Sequence, residues 1–216
     1  MNEKIIVQDR EELIYLLCEA AEFEHTVMCT YLYAMWSLKR DESEGITREE
    51  KEAIDRWRSS IRMVAMEEML HLSLVNNLLA AIGAAPHLSR PDFPVKQGYF
   101  PAEVDFHLAP FDEQSIEHFV FIERPEGIDI EDGVGFTHES HYQRVVCTDL
   151  LTPTPREYQS QGHLYHGIAQ AIRRLANELG EEGLFVGHGE AQISSAEFPL
   201  PGLIEVTGVE TAMKAL

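Results

Sequence analysis

The 216-residue chain is poor in cysteine and in basic residues, and it has no long apolar run. Its three cysteines, Cys18, Cys29 and Cys147, are scattered and form no Cys-x-x-Cys pair. That excludes a disulfide framework and a thiolate metal site, and three free thiols fit a reducing cytoplasm. Lys and Arg number 17 against 37 Asp and Glu, a formal charge of −20. Such a balance argues against nucleic acid as a partner, because phosphates call for a basic surface. No apolar stretch approaches the roughly 20 residues of a membrane span. The opening residues, Met1-Asn2-Glu3-Lys4-Ile5-Ile6, lack the build of a signal peptide. The expectation is one cytoplasmic domain over 1–216, without nucleic-acid or membrane partners and with homo-oligomerisation left open.

What the chain does have is helical periodicity. Asp9 with Glu12 three residues on forms a start signal, and a first helix should run to about Leu38. Thr47-Arg48-Glu49-Glu50 is a capping box that opens a second helix, lasting to Ile82 and stopped by Gly83. Residues 84–110 are rich in Pro and Gly and read as a long crossover. Asp112 caps a short third helix that Pro125 ends. After an irregular stretch over 127–152, Thr154-Pro155-Arg156-Glu157 predicts the start of a fourth helix, which Gly180 closes after Leu179. Residues 181–216 read as an irregular, packed tail. Four helices and one crossover make an all-α four-helix bundle with a core over about 9–180.

Inside the second helix lies Glu67-Glu68-Met69-Leu70-His71. Glu68 and His71 are three residues apart and project from one helix face. This is the Glu-x-x-His pair with which carboxylate-bridged di-metal bundles hold their ions. Met63, Val64, Met66, Leu70, Leu72, Leu74 and Val75 make the segment apolar almost all round, which predicts burial. A buried carboxylate then needs a partner or a metal. Glu67 shares a face with His71 at a spacing of four, but Glu68 is preferred. The first helix offers Glu24, which leads into the apolar run Val27, Met28, Tyr31, Leu32. The third offers Glu123, on a stripe with Ile116 and Phe119, while Glu117 and His118 fall on other faces and read as solvated. On the fourth, His163-Leu164-Tyr165-His166 stands where a second Glu-x-x-His would be expected. Two histidines three apart form a bidentate metal clip. The expected ligand set is therefore Glu24, Glu68, His71, Glu123, His163 and His166, with a carboxylate-rich side at Glu68 and an imidazole-rich side opposite. His138, His141 and His188 are loop histidines that would at most line an entrance. Tyr31, Tyr33 and Tyr165 read as core aromatics, with hydrogen bonding to the site as the alternative.

These residues resemble a known group, the ferritin-like domain related to iminophenyl-pyruvate dimer synthase. The resemblance is carried by Glu24-His25-Thr26 with Tyr31-Leu32-Tyr33-Ala34, and by Glu67-Glu68-Met69-Leu70-His71 through Asn76-Asn77-Leu78-Leu79. Ile122-Glu123-Arg124-Pro125, Gly162 with Leu164-Tyr165, and Leu184-Phe185-Val186-Gly187 continue it in order. At His163 the family pattern would have an acidic residue, and the chain stops at Leu216 where relatives continue. The resemblance implies a ferritin-like fold and a non-haem dinuclear site, di-iron by preference, with manganese or a mixed iron–manganese pair as variants. It further implies a metal-dependent oxidoreductase acting on a small organic substrate, such as an amino-acid-derived imine, with dioxygen or peroxide. No catalytic residue beyond the ligands is singled out. The alternative is iron storage or detoxification on the same fold.

Overall fold

The computed structural model describes residues 5–96, 98–100, 104–125, 127–128, 130–136 and 156–216. Helices α1 (Arg10–Ser37), α2 (Arg48–Ala81), α3 (Glu113–Ile122) and α4 (Gln161–Leu179) dominate, followed by the short α5 (Glu181–Leu184) and α6 (Val209–Ala215). Among the described residues there is no strand, and no helix is long and apolar enough to cross a membrane.

The helix starts follow from local chemistry. Asp9 accepts from the Glu12 amide at 2.9 Å, and Glu12 in turn accepts from the Gln8 amide at 2.7 Å. Thr47 and Glu50 exchange side-chain and backbone hydrogen bonds at 3.2 and 2.7 Å, so both orphan amides are satisfied. Asp112 and Ser115 do the same for α3. The fourth helix departs from expectation: Ser160, not Thr154, is its cap, accepting from the His163 amide at 3.2 Å. Thr154 and Pro155 lie outside the described residues. Residues 156–160 precede the helix, and two of their side chains reach back to α1. Arg156 pairs with Glu12 at 2.7 Å, and the Tyr158 hydroxyl donates to Glu19 at 2.8 Å.

Helices α1 and α2 pack antiparallel. Arg58 reaches the carbonyls of Leu38 and Lys39 near the α1–α2 turn, while Glu68 comes to Glu24 midway along both. Fully buried Leu13, Leu16, Leu17 and Phe23 on α1 and Leu78, Leu79 on α2 build the core with Leu164, Ile168 and Ile172 of α4. The apolar character of the 63–75 segment is not a sign of all-round burial. Met63 and Met66 are exposed at 58% and 45%. The crossover packs against α1 through a cluster of Phe23, Phe100 and Phe106, with ring centroids 5.2–5.6 Å apart in edge-to-face contact. Asn76 pins its start, accepting from the His87 amide at 2.6 Å.

The tail is more ordered than the sequence suggested, since it carries α5 and α6. Asn77, buried on α2, donates to the carbonyls of Ile193 and Ile204 at 2.9 Å each and accepts from the Ile193 amide at 2.7 Å. One side chain thus ties two tail strands of backbone to α2. Gly187 closes the join by donating its amide to the Ala81 carbonyl at 2.9 Å.

Candidate metal centre

Glu24 of α1 and Glu68 and His71 of α2 converge, with one ligand atom from each within 4.8 Å of the others. Among the described residues no other group of three such side chains does so. The α1–α2 pair produces this arrangement directly: Glu68 and His71 share a face of α2, and that face is the one that meets α1. Glu24 and Glu68 are buried at 0% and 2% exposure, whereas Glu67 is exposed. His71 keeps 43% of its side chain accessible, so the group can be reached from outside.

The distances leave room for an ion between the three side chains. His71 Nδ1 lies 3.5 Å from Glu24 Oε2 and 3.6 Å from Glu68 Oε1, too long for good hydrogen bonds. Donors roughly 2.1 Å from one ion, at tetrahedral angles, stand about 3.4 Å apart. Two carboxylate oxygens, Glu24 Oε2 and Glu68 Oε2, are buried and have no hydrogen-bond partner. Buried polar atoms are rarely left so. Two carboxylates and an imidazole around orphaned oxygens therefore fit a hard or borderline divalent cation.

Without a metal the group must hold protons. Burial above all, with the adjacent Glu24 charge, pushes Glu68 up to about 9 against the opposing pull of His71. Burial also works to raise Glu24, but His71, Glu68 and the Tyr165 hydroxyl outweigh it and hold its carboxyl below the ordinary value. Glu24 first and Glu68 second keep His71 protonated up to about 10. One carboxylate of the pair is thus charged and the other protonated.

The linkage has a definite sign. His71, raised from 6.5, adds stability that is complete below pH 6.5 and is lost as pH climbs through about 10. Glu68, raised from 4.5, acts in the same direction, its share lost as pH climbs through about 9. The chelated protein should therefore melt at progressively lower temperature from pH 6 to pH 9. The rise in Tm on adding Mn(II) should grow over the same interval, because metal displaces the protons on these ligands. Melting curves with and without chelator test both trends. A level or rising chelated Tm would contradict them.

The other expected ligands are placed differently. Glu123 caps α3 beside the group, and its Oε1 accepts from the Tyr31 hydroxyl at 2.7 Å. Burial, the main cause, raises its carboxyl, and the Glu24 charge adds to that. The stripe Ile116, Phe119, Glu123 does not face the packed core as the sequence suggested. It lines an open cavity of about 760 Å³, together with Tyr31, Trp57, Ile61 and Val64. Ile116 and Val120 are exposed at 42% and 58% for that reason.

His163 is buried, but its Nδ1 accepts from the Gln159 amide at 3.3 Å. His166 is exposed and engages Gln170 one turn on. The structure brings neither into the three-residue group. The α4 residues that do reach it are Gln161, which donates to Glu24 Oε1 at 2.9 Å, and Tyr165, whose hydroxyl donates to the same oxygen. The sequence offered a weak signal for these two: they lie four apart and share a helix face.

His118 also corrects the sequence reading. It is fully buried, not solvated, with Nδ1 bonded to Asp132 at 2.9 Å and its ring stacked 3.8 Å from Phe136. A second shell of loop, residues 130–136, covers that face of α3, and periodicity within α3 could not announce it. Glu117 is exposed as expected. His138, Glu139 and His141 lie outside the described residues.

The relatives of the chain bear on this geometry. Dichlorochromopyrrolate synthase of Lentzea aerocolonigenes is 31% identical over 189 residues, covering 78% of this chain and 17% of that protein. The 2-imino-3-(indol-3-yl)propanoate dimerase of Chromobacterium violaceum is 30% identical over 139 residues, covering 56% of this chain and 14% of that protein. The chain thus spans less than a fifth of the length of these curated relatives, both of which are enzymes by name. A solved ferritin-like protein from Caulobacter vibrioides shares the fold, with a TM-score of 0.59 and 21% identity over 98% of this chain and 67% of that one. A family model described as Ferritin-like matches residues 17–216. Helical bundle, Glu-x-x-His pair and family model agree, and the chain belongs to the ferritin-like family.

Proposed function

We propose that this chain is a metal-dependent oxidoreductase domain in which Glu24, Glu68 and His71 hold non-haem iron, with Glu123 beside them. Manganese is the alternative ion, since both accept carboxylate and imidazole donors. Bound iron would supply redox chemistry with dioxygen or peroxide. The substrate is a small aromatic molecule, on the pattern of the imine named for the Chromobacterium violaceum relative. The observation that carries this reading is the cavity: Tyr31 and Glu123 form part of its wall, and both feel the charge of Glu24 in the three-residue group.

The chain's own residues have definite parts in this reading. Trp57, Phe111 and Phe119 give the cavity flat apolar walls, with Trp57 and Phe111 stacked at 5.5 Å. Such walls bind an aromatic ring by area and exclude water from it. Glu123, at the polar end, can accept a hydrogen bond from an imine or amine N–H. The Tyr31 hydroxyl keeps hold of its other side. Burial, with Glu123 next, pushes the Tyr31 phenol far above its ordinary range, so it remains a donor at neutral pH.

Val64→Trp tests the link between cavity and chemistry, because Val64 lines the cavity and is none of the three metal-binding residues. The indolyl imine can be generated in place from tryptophan by an amino-acid oxidase. Its metal-dependent consumption should fall about tenfold or more, a loss of roughly 1.4 kcal/mol, while metal content stays at the wild-type level. Unchanged consumption in the variant, or consumption that survives chelation, would refute the reading.

A further inference from the structure

We propose that this centre takes one metal ion per chain, not two, because α4 presents Gln161 and Tyr165 to Glu24 where a second ligand pair would stand. The inference rests on the metal-binding reading above. Bundles with two ions surround them with four carboxylates and two histidines, one Glu-x-x-His pair coming from each of two helices. Among the described residues one such pair is assembled, Glu68 with His71, and the opposite helix supplies an amide and a phenol.

The rotation of α4 decides this. Successive helical residues are about 100° apart, so Gln161 and Tyr165 lie within roughly 40° of each other. Both bond to Glu24 Oε1. His163 is about 160° from either, on the far side of the helix. Its Nδ1 is already taken by the Gln159 amide, and His166 faces solvent with Gln170. Turning α4 to bring either histidine inward would expose Leu164, Ile168 and Ile172, each now at 0% exposure. Each of these apolar side chains would then return to water, which opposes the rotation.

Glu24 itself argues against a pair of ions. A carboxylate that bridges two ions with one oxygen on each needs both oxygens free, and Oε1 of Glu24 is occupied by two donors. Oε2 alone is orphaned and turned toward His71. Charge points the same way. One divalent ion is neutralised by Glu24 and Glu68. Two would leave a net positive charge in a buried site even with Glu123 recruited, which is costly without further anions.

Anaerobic titration of the full chain with Fe(II), read by calorimetry and by elemental analysis after dialysis, measures the stoichiometry directly. One ion per chain is expected. Two ions per chain overturn this inference and leave the metal-binding reading standing, whereas none overturns both. His166→Ala and His163→Asn should each keep one ion, with affinity within about threefold of wild type, below even the roughly 10-fold loss common for outer partners of a ligand. A tenfold or greater loss in His166→Ala, whose exposed site puts folding at no risk, would make that histidine a ligand and overturn the inference. Circular dichroism confirms that the His163→Asn protein is folded before its titration is read.

Discussion

Glu68→Gln should lower the affinity for Fe(II) or Mn(II) roughly 100-fold or more, beyond the upper range for residues that only support a ligand. The same substitution should make the metal-free protein more stable. Glu68 is a buried carboxyl next to the buried charge of Glu24, with one oxygen unpartnered on each. An amide in its place carries no proton debt at high pH, and its NH₂ group can donate to Glu24 Oε2. Glu68 keeps its own proton only up to about pH 9, so the gain shows at and above that pH and amounts to about 1 kcal/mol. For a chain of this size that raises Tm by about 2–4 °C. Opposite signs with and without metal mark a site kept for binding at the expense of stability. Thermal melts in chelator, paired with metal titrations, separate the two effects. A lower melting point for the chelated variant would mean that the carboxylates are a structural pair.

Gly187→Ala should be the most damaging small substitution at the join between α2 and the tail. A Cβ at this position would lie 1.7 Å from the Ala80 carbonyl oxygen, 2.8 Å from the Ala80 carbonyl carbon and 3.0 Å from that of Ala81. All three are backbone atoms in the last turn of α2, so no rotamer change relieves the clash. The tail must move away, which breaks the Gly187–Ala81 hydrogen bond. It also strains the Asn77 bonds to Ile193 and Ile204. The expected loss is about 3 kcal/mol or more, at the top of the range for overpacking, equal to a fall in Tm of roughly 6–12 °C. Gly189→Ala, with nothing within 4 Å of its Cβ, should stay within about 0.5 kcal/mol of wild type. Equal melting points for the two variants would show that the tail is not held against α2 as described.

Much of the site on α1 and α2 was legible in residue order. Glu68 was preferred over Glu67 for its Glu-x-x-His spacing, and of the two Glu68 is the buried one. Glu24 was marked by the apolar run that follows it. For α4 a sequence signal existed and pointed away from His166. Leu164, Ile168, Ile172 and Leu175 form its buried stripe, and His166 stands opposite that stripe. A spacing of three shows that two side chains share a helix face. It does not show which way the face points.

The sequence by itself determined the four main helical segments, most of their caps and the Glu68-x-x-His71 pair, because these depend on contacts three and four residues apart. Tertiary structure decided what each helix turns toward its neighbours. It put Gln161 and Tyr165 on Glu24, opened Ile116, Phe119 and Glu123 onto a cavity, buried His118 under residues 130–136, and left Met63 and Met66 exposed. The rotation of a helix about its axis is set by packing against residues distant in sequence, so no local spacing encodes it alone.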